Sequence, residues 1–202
     1  MSNSKKILVV EAILIVVFCF VPLLMNYPYR INIFLSWEGA YRMSQVHIPF
    51  RDFGLPLGFM YWVVPAVFFK IFGPYLLTLV KAQSFINLIT LITFREVLKV
   101  FKLEDGIRLI VLLLFCISYI LINFWPWYNN TVFVYQLISL LFLLKVTKAN
   151  GRRQILYLIL SAFFCTFSFF TKQDGGALAI LMNIILLGYI SIIDKKWWQL
   201  PL

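Results

Sequence analysis

The stretch 37–58, WEGAYRMSQVHIPFRDFGLPLG, holds the side chains with the clearest capacity for chemistry. It contains Glu38 and Asp52, two of only eight acids in a chain of 202 residues. Arg42 follows Glu38 at the spacing of an ion pair on a helix surface, and Arg51 is adjacent to Asp52. Glu38 is therefore either a general base or half of a surface pair, and Asp52 is a second acid, a metal ligand or half of a surface pair.

The composition predicts that a membrane protein positions these acids. The chain is 62% hydrophobic and 13% charged, with a mean hydropathy of +0.92, which lies far outside the range of soluble domains. The first apolar run, 7–25, is followed by no small-residue cleavage site, so we expect an uncleaved span. The formal charge of +10 is clustered between apolar runs, which favours membrane orientation over nucleic-acid binding.

Six apolar runs are candidates to cross about 30 Å of hydrocarbon. They are 7–25, 75–94, 109–127, 131–144, 155–170 and 177–193. Cys19, Cys116 and Cys165 fall inside such runs, where we expect them to pack as small hydrophobic residues. The predicted fold is an all-α polytopic membrane protein, a single module over 1–202 with about six transmembrane helices.

A seventh run, 57–72, is apolar and aromatic but contains Pro65 and Lys70. If it does not cross, twelve Lys and Arg residues lie on the cytoplasmic side and five outside; if it crosses, the division becomes four against thirteen. The positive-inside rule therefore predicts a helix in the outer interface, or dipping into the bilayer, and a cytoplasmic N-terminus in a plasma (inner) membrane protein. The twelve are Lys5, Lys6, Arg95, Lys99, Lys102, Arg108, Lys145, Lys148, Arg152, Arg153, Lys195 and Lys196.

Residues 26–74 then form one extracytoplasmic loop with interfacial helices, and 126–130 and 171–176 are the other outward connections. The polar residues best able to take part in catalysis or ligand binding all fall on this side, which predicts a site at the outer membrane surface. They are Glu38, Arg51, Asp52, Tyr128, Asn129, Asn130, Lys172, Gln173 and Asp174.

The first loop resembles that of the GT-C superfamily of membrane glycosyltransferases, especially its protein mannosyltransferase and aminoarabinose transferase branch. There an Asp-Glu pair is followed by a segment like PYRDF and then by PPLxYW. Here Glu38, with Trp37 in the place of the Asp, precedes IPFRDFGLPLGFMYW at 48–62, and TKQDGG at 171–176 resembles a TKG element that ends a later span. The resemblance covers essentially the whole chain, as the amino-terminal membrane module of a longer enzyme.

The resemblance implies transfer of a sugar from a polyprenyl-phosphate carrier to a glycan, lipid or protein acceptor outside the cytoplasm. Membrane lipid is an expected partner and nucleic acid is not, while the cofactor is left open, with a divalent cation among the options. The implied site residues are Glu38 and Asp52 as catalytic carboxylates, Arg51, Lys81 and Lys172 at the donor phosphate, and Tyr128, Asn130 and Gln173 along the substrate, with no metal ligands assigned.

Several of these residues have a second interpretation. Lys81 lies six residues into its run, about 9 Å from the end, where ionisable groups are costly and tend to mark function, but it can also snorkel to the headgroups. Tyr128 can belong to an interfacial aromatic belt. Glu11, near the inner end of the first run, is expected to reach the cytoplasmic interface or to pair with Lys5 or Lys6.

Two other functional classes stay open. A transporter or flippase of lipid-linked material would carry polar or broken helices near the bilayer midplane, and only the run 75–94, with Lys81, Gln83 and Asn87, has such residues. The third alternative is an inactive truncated module.

Overall fold

The computed structural model describes residues 3–24, 32–54 and 57–193, whose regular secondary structure is helical apart from an isolated bridge between Pro49 and Phe53. A 3-10 helix, Ile120–Ile122, continues the fifth α-helix. The α-helices are α1 (Asn3–Leu24), α2 (Ile33–Ser44), α3 (Met60–Phe72), α4 (Leu76–Val100), α5 (Asp105–Tyr119), α6 (Tyr128–Val146), α7 (Arg152–Phe169) and α8 (Gln173–Ile193). The start of the predicted first loop, 26–31, and Lys195 and Lys196 lie outside the described residues.

In the described part of the chain, five helices are long and apolar enough to span a membrane, which confirms an all-α, multi-pass membrane protein. They are α1, α4, α5 with its 3-10 extension, α6 and α8. The predicted span 155–170 corresponds to α7, which is not among the five. Its 18 residues include Arg152, Arg153 and Gln154 at the start, and these polar side chains lower its mean hydropathy.

The predicted span 109–127 is too long at its C-terminal end. The helical structure ends at Ile122, and Trp127 has an extended backbone with a φ of −120°. Asn123 donates a side-chain hydrogen bond to the Tyr119 carbonyl at 2.6 Å, which supplies a partner to the end of the helix, and Pro126 cannot contribute a backbone N–H. Apolar composition alone does not reveal these stop signals.

The bundle has two ends, which we call the basic end and the loop end. At the basic end, Lys148 after α6 donates to the carbonyl of Val100, the last residue of α4, at 2.8 Å. At the loop end, the Met60 N–H at the start of α3 donates to the Phe170 carbonyl after α7 at 3.1 Å. There Trp37 Nε1 of α2 also donates to the carbonyl of Pro74, which follows α3, at 2.8 Å. Helix α7 therefore runs alongside α6 from the basic end to the loop end.

Both termini of α3 lie at the loop end, so this helix does not traverse the bundle. Its 13 residues are also too short, at about 20 Å, for a hydrocarbon layer of about 30 Å. This geometry agrees with the expectation that 57–72 does not cross the membrane, which stays a prediction. Which side of the membrane the loop end faces stays a prediction.

Helices α2 and α3 pack closely because Gly39 leaves room for an indole. A Cβ at Gly39 would lie 2.0 Å from the ring of Trp62, which is 1% exposed and donates from Nε1 to the Leu35 carbonyl at 3.0 Å. Next to this contact, a core of Ile33, Ala40, Phe69 and Leu79 joins the two helices to α4. The contact fixes α2, which carries Glu38, against the bundle.

At the basic end, the expected pairing of Glu11 with Lys5 or Lys6 is wrong. Glu11 is 0% exposed and accepts hydrogen bonds from Arg95 Nε and Arg108 Nε, both at 2.6 Å. Helix α1 packs against α4 and α5, so the carboxylate meets their guanidinium groups before it can reach the interface. Two cationic partners compensate the loss of hydration at a buried carboxylate. Cys19, Cys116 and Cys165 are free and buried, as expected.

Candidate functional site

Glu38 lies on the exposed side of α2, and 57% of its side chain is accessible. Arg42, one turn further on, donates to it from Nε at 3.0 Å and from Nη2 at 2.7 Å, and both bonds go to the same oxygen, Oε1. The guanidinium of Arg42 also lies 5.5 Å from the centre of the Phe53 ring. Among the described residues, Oε2 of Glu38 accepts no hydrogen bond, which leaves it free to meet a ligand.

Asp52 is held much more tightly, in a turn over residues 48–53. Arg51 donates to it from Nε at 2.8 Å and from Nη2 at 2.9 Å, and the Ile48 N–H donates to Oδ2 at 2.8 Å. The hydrogen bonds from Arg51 and then from Ile48 lower the pKa of Asp52 to about 2, and Asp52 in turn raises the pKa of Arg51. Both carboxylate oxygens already have donors, so Asp52 fits the surface-pair interpretation better than that of a proton acceptor.

The two acids nevertheless line the same cavity, of about 180 Å³, which we call the acid cavity. Its other lining residues are Leu35, Gly39, Arg42, Phe53, Gly54 and Trp62. Glu38 and Arg42 also border a second cavity of about 540 Å³, together with Phe34, Trp37, Tyr41 and His47. The carboxylate of Glu38 is thus flanked by a guanidinium group and by aromatic rings, a lining able to bind a hydroxyl-bearing ligand with a negative charge.

No family model, curated protein or solved structure matches this chain. The residues themselves therefore carry the functional argument.

A second group lies at the loop end around Tyr128, the first residue of α6. The ammonium of Lys172 is 5.9 Å from the centre of the Tyr128 ring and 3.2 Å from Asp174 Oδ2. The ring of Tyr61 packs edge-on against Tyr128, with 5.9 Å between centroids. Tyr61 is followed in α3 by Trp62, which lines the acid cavity. Helix α3 therefore contacts both Tyr128, beside Lys172, and the acid cavity, which contains Glu38.

The remaining predicted residues lie elsewhere. Asn130 faces Asn123 and lines a separate cavity, and Gln173 is exposed at the start of α8. Lys81 is partly exposed, with its ammonium 4.8 Å from the centre of the Phe72 ring, and it lines neither cavity beside Glu38. The predicted site is therefore not one cluster but several groups that share the loop end.

Sequence reasoning did not assign Arg42, Phe53 or Trp62 to the site. The spacing of Glu38 and Arg42 was visible as an ion pair, but not its position against the Phe53 ring. The role of Trp62 depends on the close approach to Gly39, which no local pattern reveals. Within 3–24, 32–54 and 57–193, no group of three or more His, Cys, Asp or Glu residues comes together to hold a metal ion.

Proposed function

We propose that this chain is a membrane glycosyltransferase module that moves a sugar from a polyprenyl-phosphate donor to an acceptor on the extracytoplasmic side. The observation that carries the proposal is the acid cavity, which combines the carboxylate of Glu38, the guanidinium of Arg42 and the ring of Trp62 at the loop end. The resemblance of 37–62 and 171–176 to the GT-C glycosyltransferases supplies the substrate class.

In the proposed reaction, an acceptor hydroxyl attacks the anomeric carbon of the donor sugar. The new glycosidic C–O bond forms as the bond between the anomeric carbon and the phosphate oxygen breaks, and the lipid phosphate leaves with the bonding electron pair. Glu38 accepts the hydroxyl proton, and its Oε2 is the oxygen with no hydrogen bond from the described residues. Asp52 holds the turn 48–53 in place and is a positioning residue.

Negative charge develops on the departing phosphate, so cations near the cavity favour the transition state. Arg42 lines the acid cavity, and Arg51 lies beside it with 66% of its side chain exposed. Lys172 is reached through Tyr61 and Tyr128, and its present partner, Asp174, is 72% exposed, so a phosphate can replace it. These positions favour Arg42, Arg51 and Lys172 over Lys81 as phosphate contacts.

The test follows transfer of labelled sugar from polyprenyl phosphate in membranes that contain the protein expressed from its full reading frame. Glu38→Gln keeps the size of the side chain but removes the proton acceptor, so transfer should fall by about a hundredfold or more. Asp52→Asn should have a milder effect. Glu104→Gln is the matched control, because Glu104 is an exposed acid at the basic end.

Protein levels in the membranes are checked by blot. Near wild-type transfer by Glu38→Gln with an inactive Asp52→Asn would make Asp52 the general base and Glu38 the positioning residue. Wild-type transfer by both variants would show that neither carboxylate of the acid cavity is needed for catalysis.

One observation favours the alternative, a transporter or flippase of lipid-linked material. Gln83 and Asn87 of α4 are at most 1% exposed and are joined by a hydrogen bond of 2.7 Å, while Gln83 Oε1 and Asn87 Nδ2 have no partner in the described part of the chain. Buried amides inside a span can line a polar path. Movement of a fluorescent lipid-linked sugar across proteoliposome membranes, without transfer to any acceptor, would support this function instead.

A further inference from the structure

A cavity of about 390 Å³, which we call the asparagine cavity, lies between the start of α2 and the connection from α5 to α6. Its lining residues are Asn32, Ile122, Asn123, Phe124, Trp125, Trp127 and Asn130. Ser36 of α2 contacts the same connection, because Ser36 Oγ donates to the carbonyl of Pro126, between Trp125 and Trp127, at 2.5 Å. The volume falls within the range of about 300–1,000 Å³ that is usual for small-molecule sites.

The amide groups in this cavity are held in fixed orientations. Asn123 is 3% exposed, its Nδ2 donates to the Tyr119 carbonyl at 2.6 Å, and its Oδ1 accepts from Asn130 Nδ2. The backbone carbonyl of Asn130 in turn accepts from the Tyr119 hydroxyl at 2.8 Å. Tyr119 therefore holds two of the lining residues, Asn123 and Asn130, in place.

One polar atom of the lining has no partner. The side-chain oxygen of Asn32, at the start of α2, is buried and accepts no hydrogen bond from any described residue. A buried acceptor in this state is unfavourable, and a donor from a bound molecule would remove the cost. Asn32 also lines the cavity, so rotation of its side chain would allow this oxygen to accept a hydrogen bond from a bound molecule.

We propose that the asparagine cavity binds a neutral, hydroxyl-bearing ring such as a sugar, at a site distinct from the acid cavity. Hydroxyl groups both donate and accept, as amides do, and the aromatic rings offer surface to the apolar face of a sugar. None of the described lining residues is charged, so an anionic group would lose its hydration without a counter-charge. A quaternary ammonium group would contact the aromatic rings, but it has no N–H to donate to the Asn32 oxygen.

The proposal goes beyond the glycosyl transfer suggested above, since it requires binding alone. The chain is reconstituted in lipid nanodiscs without glycoside detergents, and saturation-transfer NMR is recorded with a neutral methyl hexoside, with choline and with a hexose 1-phosphate. We expect saturation of the ring protons of the methyl hexoside. Asn32→Leu should weaken its binding by about tenfold, the effect of losing one well-placed hydrogen bond.

Asn129→Leu is the matched control, because Asn129 is exposed and lies outside the lining. Trp127→Leu provides a second variant if Asn32→Leu does not fold, and it should also weaken hexoside binding. The proposal is overturned by hexoside binding that is unchanged in both lining variants, by a stronger signal from choline than from the hexoside, or by no saturation of the hexoside at all. Transfer is measured separately, so either proposal can fail without the other.

Discussion

Glu38 and Asp52 share one cavity but differ in how completely their oxygens are used. Asp52 accepts three hydrogen bonds, divided over both oxygens, from Arg51 and the backbone of Ile48. Glu38 accepts two, both at Oε1 and both from Arg42. A carboxylate with a free oxygen can accept a proton from a ligand without first losing a partner, which is why we assign the base to Glu38.

The hydrogen bonds at Asp52 predict an unusually acidic titration. Its pKa is lowered from an ordinary value of 3.8 to about 2, so the paired turn is stabilised above about pH 4 and loses this contribution as the pH falls through about 2. Carbon-13 NMR of labelled aspartate carboxyl groups in nanodiscs measures the midpoint, and Asp52→Asn identifies the signal. A midpoint near 4 would contradict the pairing with Arg51.

The two lysines predicted at the donor phosphate can be told apart. Lys172→Met should raise the apparent KM for the lipid-linked donor by about tenfold, because its ammonium lies beside Tyr128 and an exposed partner. Lys81→Met serves as the comparison and should leave this KM unchanged, since its ammonium rests against Phe72. A donor KM that responds to Lys81→Met and not to Lys172→Met would return the phosphate role to Lys81.

At the scale of elements, glycines allow the loop-end helices to approach one another. Gly39 accepts the Trp62 ring between α2 and α3, and Gly58 lets the start of α3 reach the end of α7. The second contact is backbone against backbone, since a Cβ at Gly58 would lie 1.8 Å from the Phe170 carbonyl oxygen. No side-chain rotation can relieve that clash.

Gly58→Ala should therefore break the hydrogen bond from the Met60 N–H to Phe170 and destabilise the protein by about 1–3 kcal/mol. Gly106→Ala is the control, because a Cβ there meets nothing within 4 Å and alanine favours the helix in the first turn of α5. Thermal unfolding in detergent compares the two variants. Equal midpoints for Gly58→Ala and the wild type would show that α3 does not contact α7 in this way.

At the basic end, the buried carboxylate of Glu11 connects three helices, α1, α4 and α5. Glu11→Gln would remove the carboxylate that Arg95 and Arg108 share. Arg95 keeps Glu96 and Arg108 keeps Asp105, each at 2.8 Å, so the cost should be about 2–3 kcal/mol, below that of a buried charge with no partner. Glu104→Gln, at an exposed acid near the same end, should change stability little. Chemical or thermal unfolding measures both, and a Glu11→Gln variant as stable as the wild type would mean that the cluster does not hold α1 in place.

The sequence predicted those parts of the fold that follow from the membrane itself. A span must be apolar and must satisfy its own backbone, so runs such as 75–94 and 177–193 reveal their helices directly. Glu11 and the segment 123–127 were predicted wrongly because their structures depend on partners elsewhere: Arg95 and Arg108 for Glu11, and Tyr119 for Asn123. Within the site, the local pair of Glu38 and Arg42 was foreseeable, whereas the acid cavity requires Trp62 from another helix.

At the scale of the whole molecule, charge is distributed unevenly between the two ends. The described Lys and Arg residues at the basic end are Lys5, Lys6, Arg95, Lys99, Lys102, Arg108, Lys145, Lys148, Arg152 and Arg153, and those at the loop end are Arg42, Arg51, Lys70, Lys81 and Lys172. From this distribution, the positive-inside rule predicts that the basic end faces the cytoplasm and that the acid cavity faces away from it. The same orientation would expose both proposed ligand sites outside the cytoplasm.

Reporter fusions test this orientation. They also test whether α3 and α7, the two helices whose hydropathy decides least, cross the membrane. A reporter that is active only outside the cytoplasm should work after Phe72, Asn130 and Asp174, and fail after Lys102 and Arg153. Activity after Lys102 would mean that 57–72 crosses the membrane. Inactivity after Asp174, with activity kept after Asn130, would mean that α7 does not cross, because α6 alone would then carry the chain inward. Either result would place Met60 and Phe170 on opposite sides of the membrane, so their hydrogen bond could not form. The acid cavity would then lie away from Lys172, which follows Phe170.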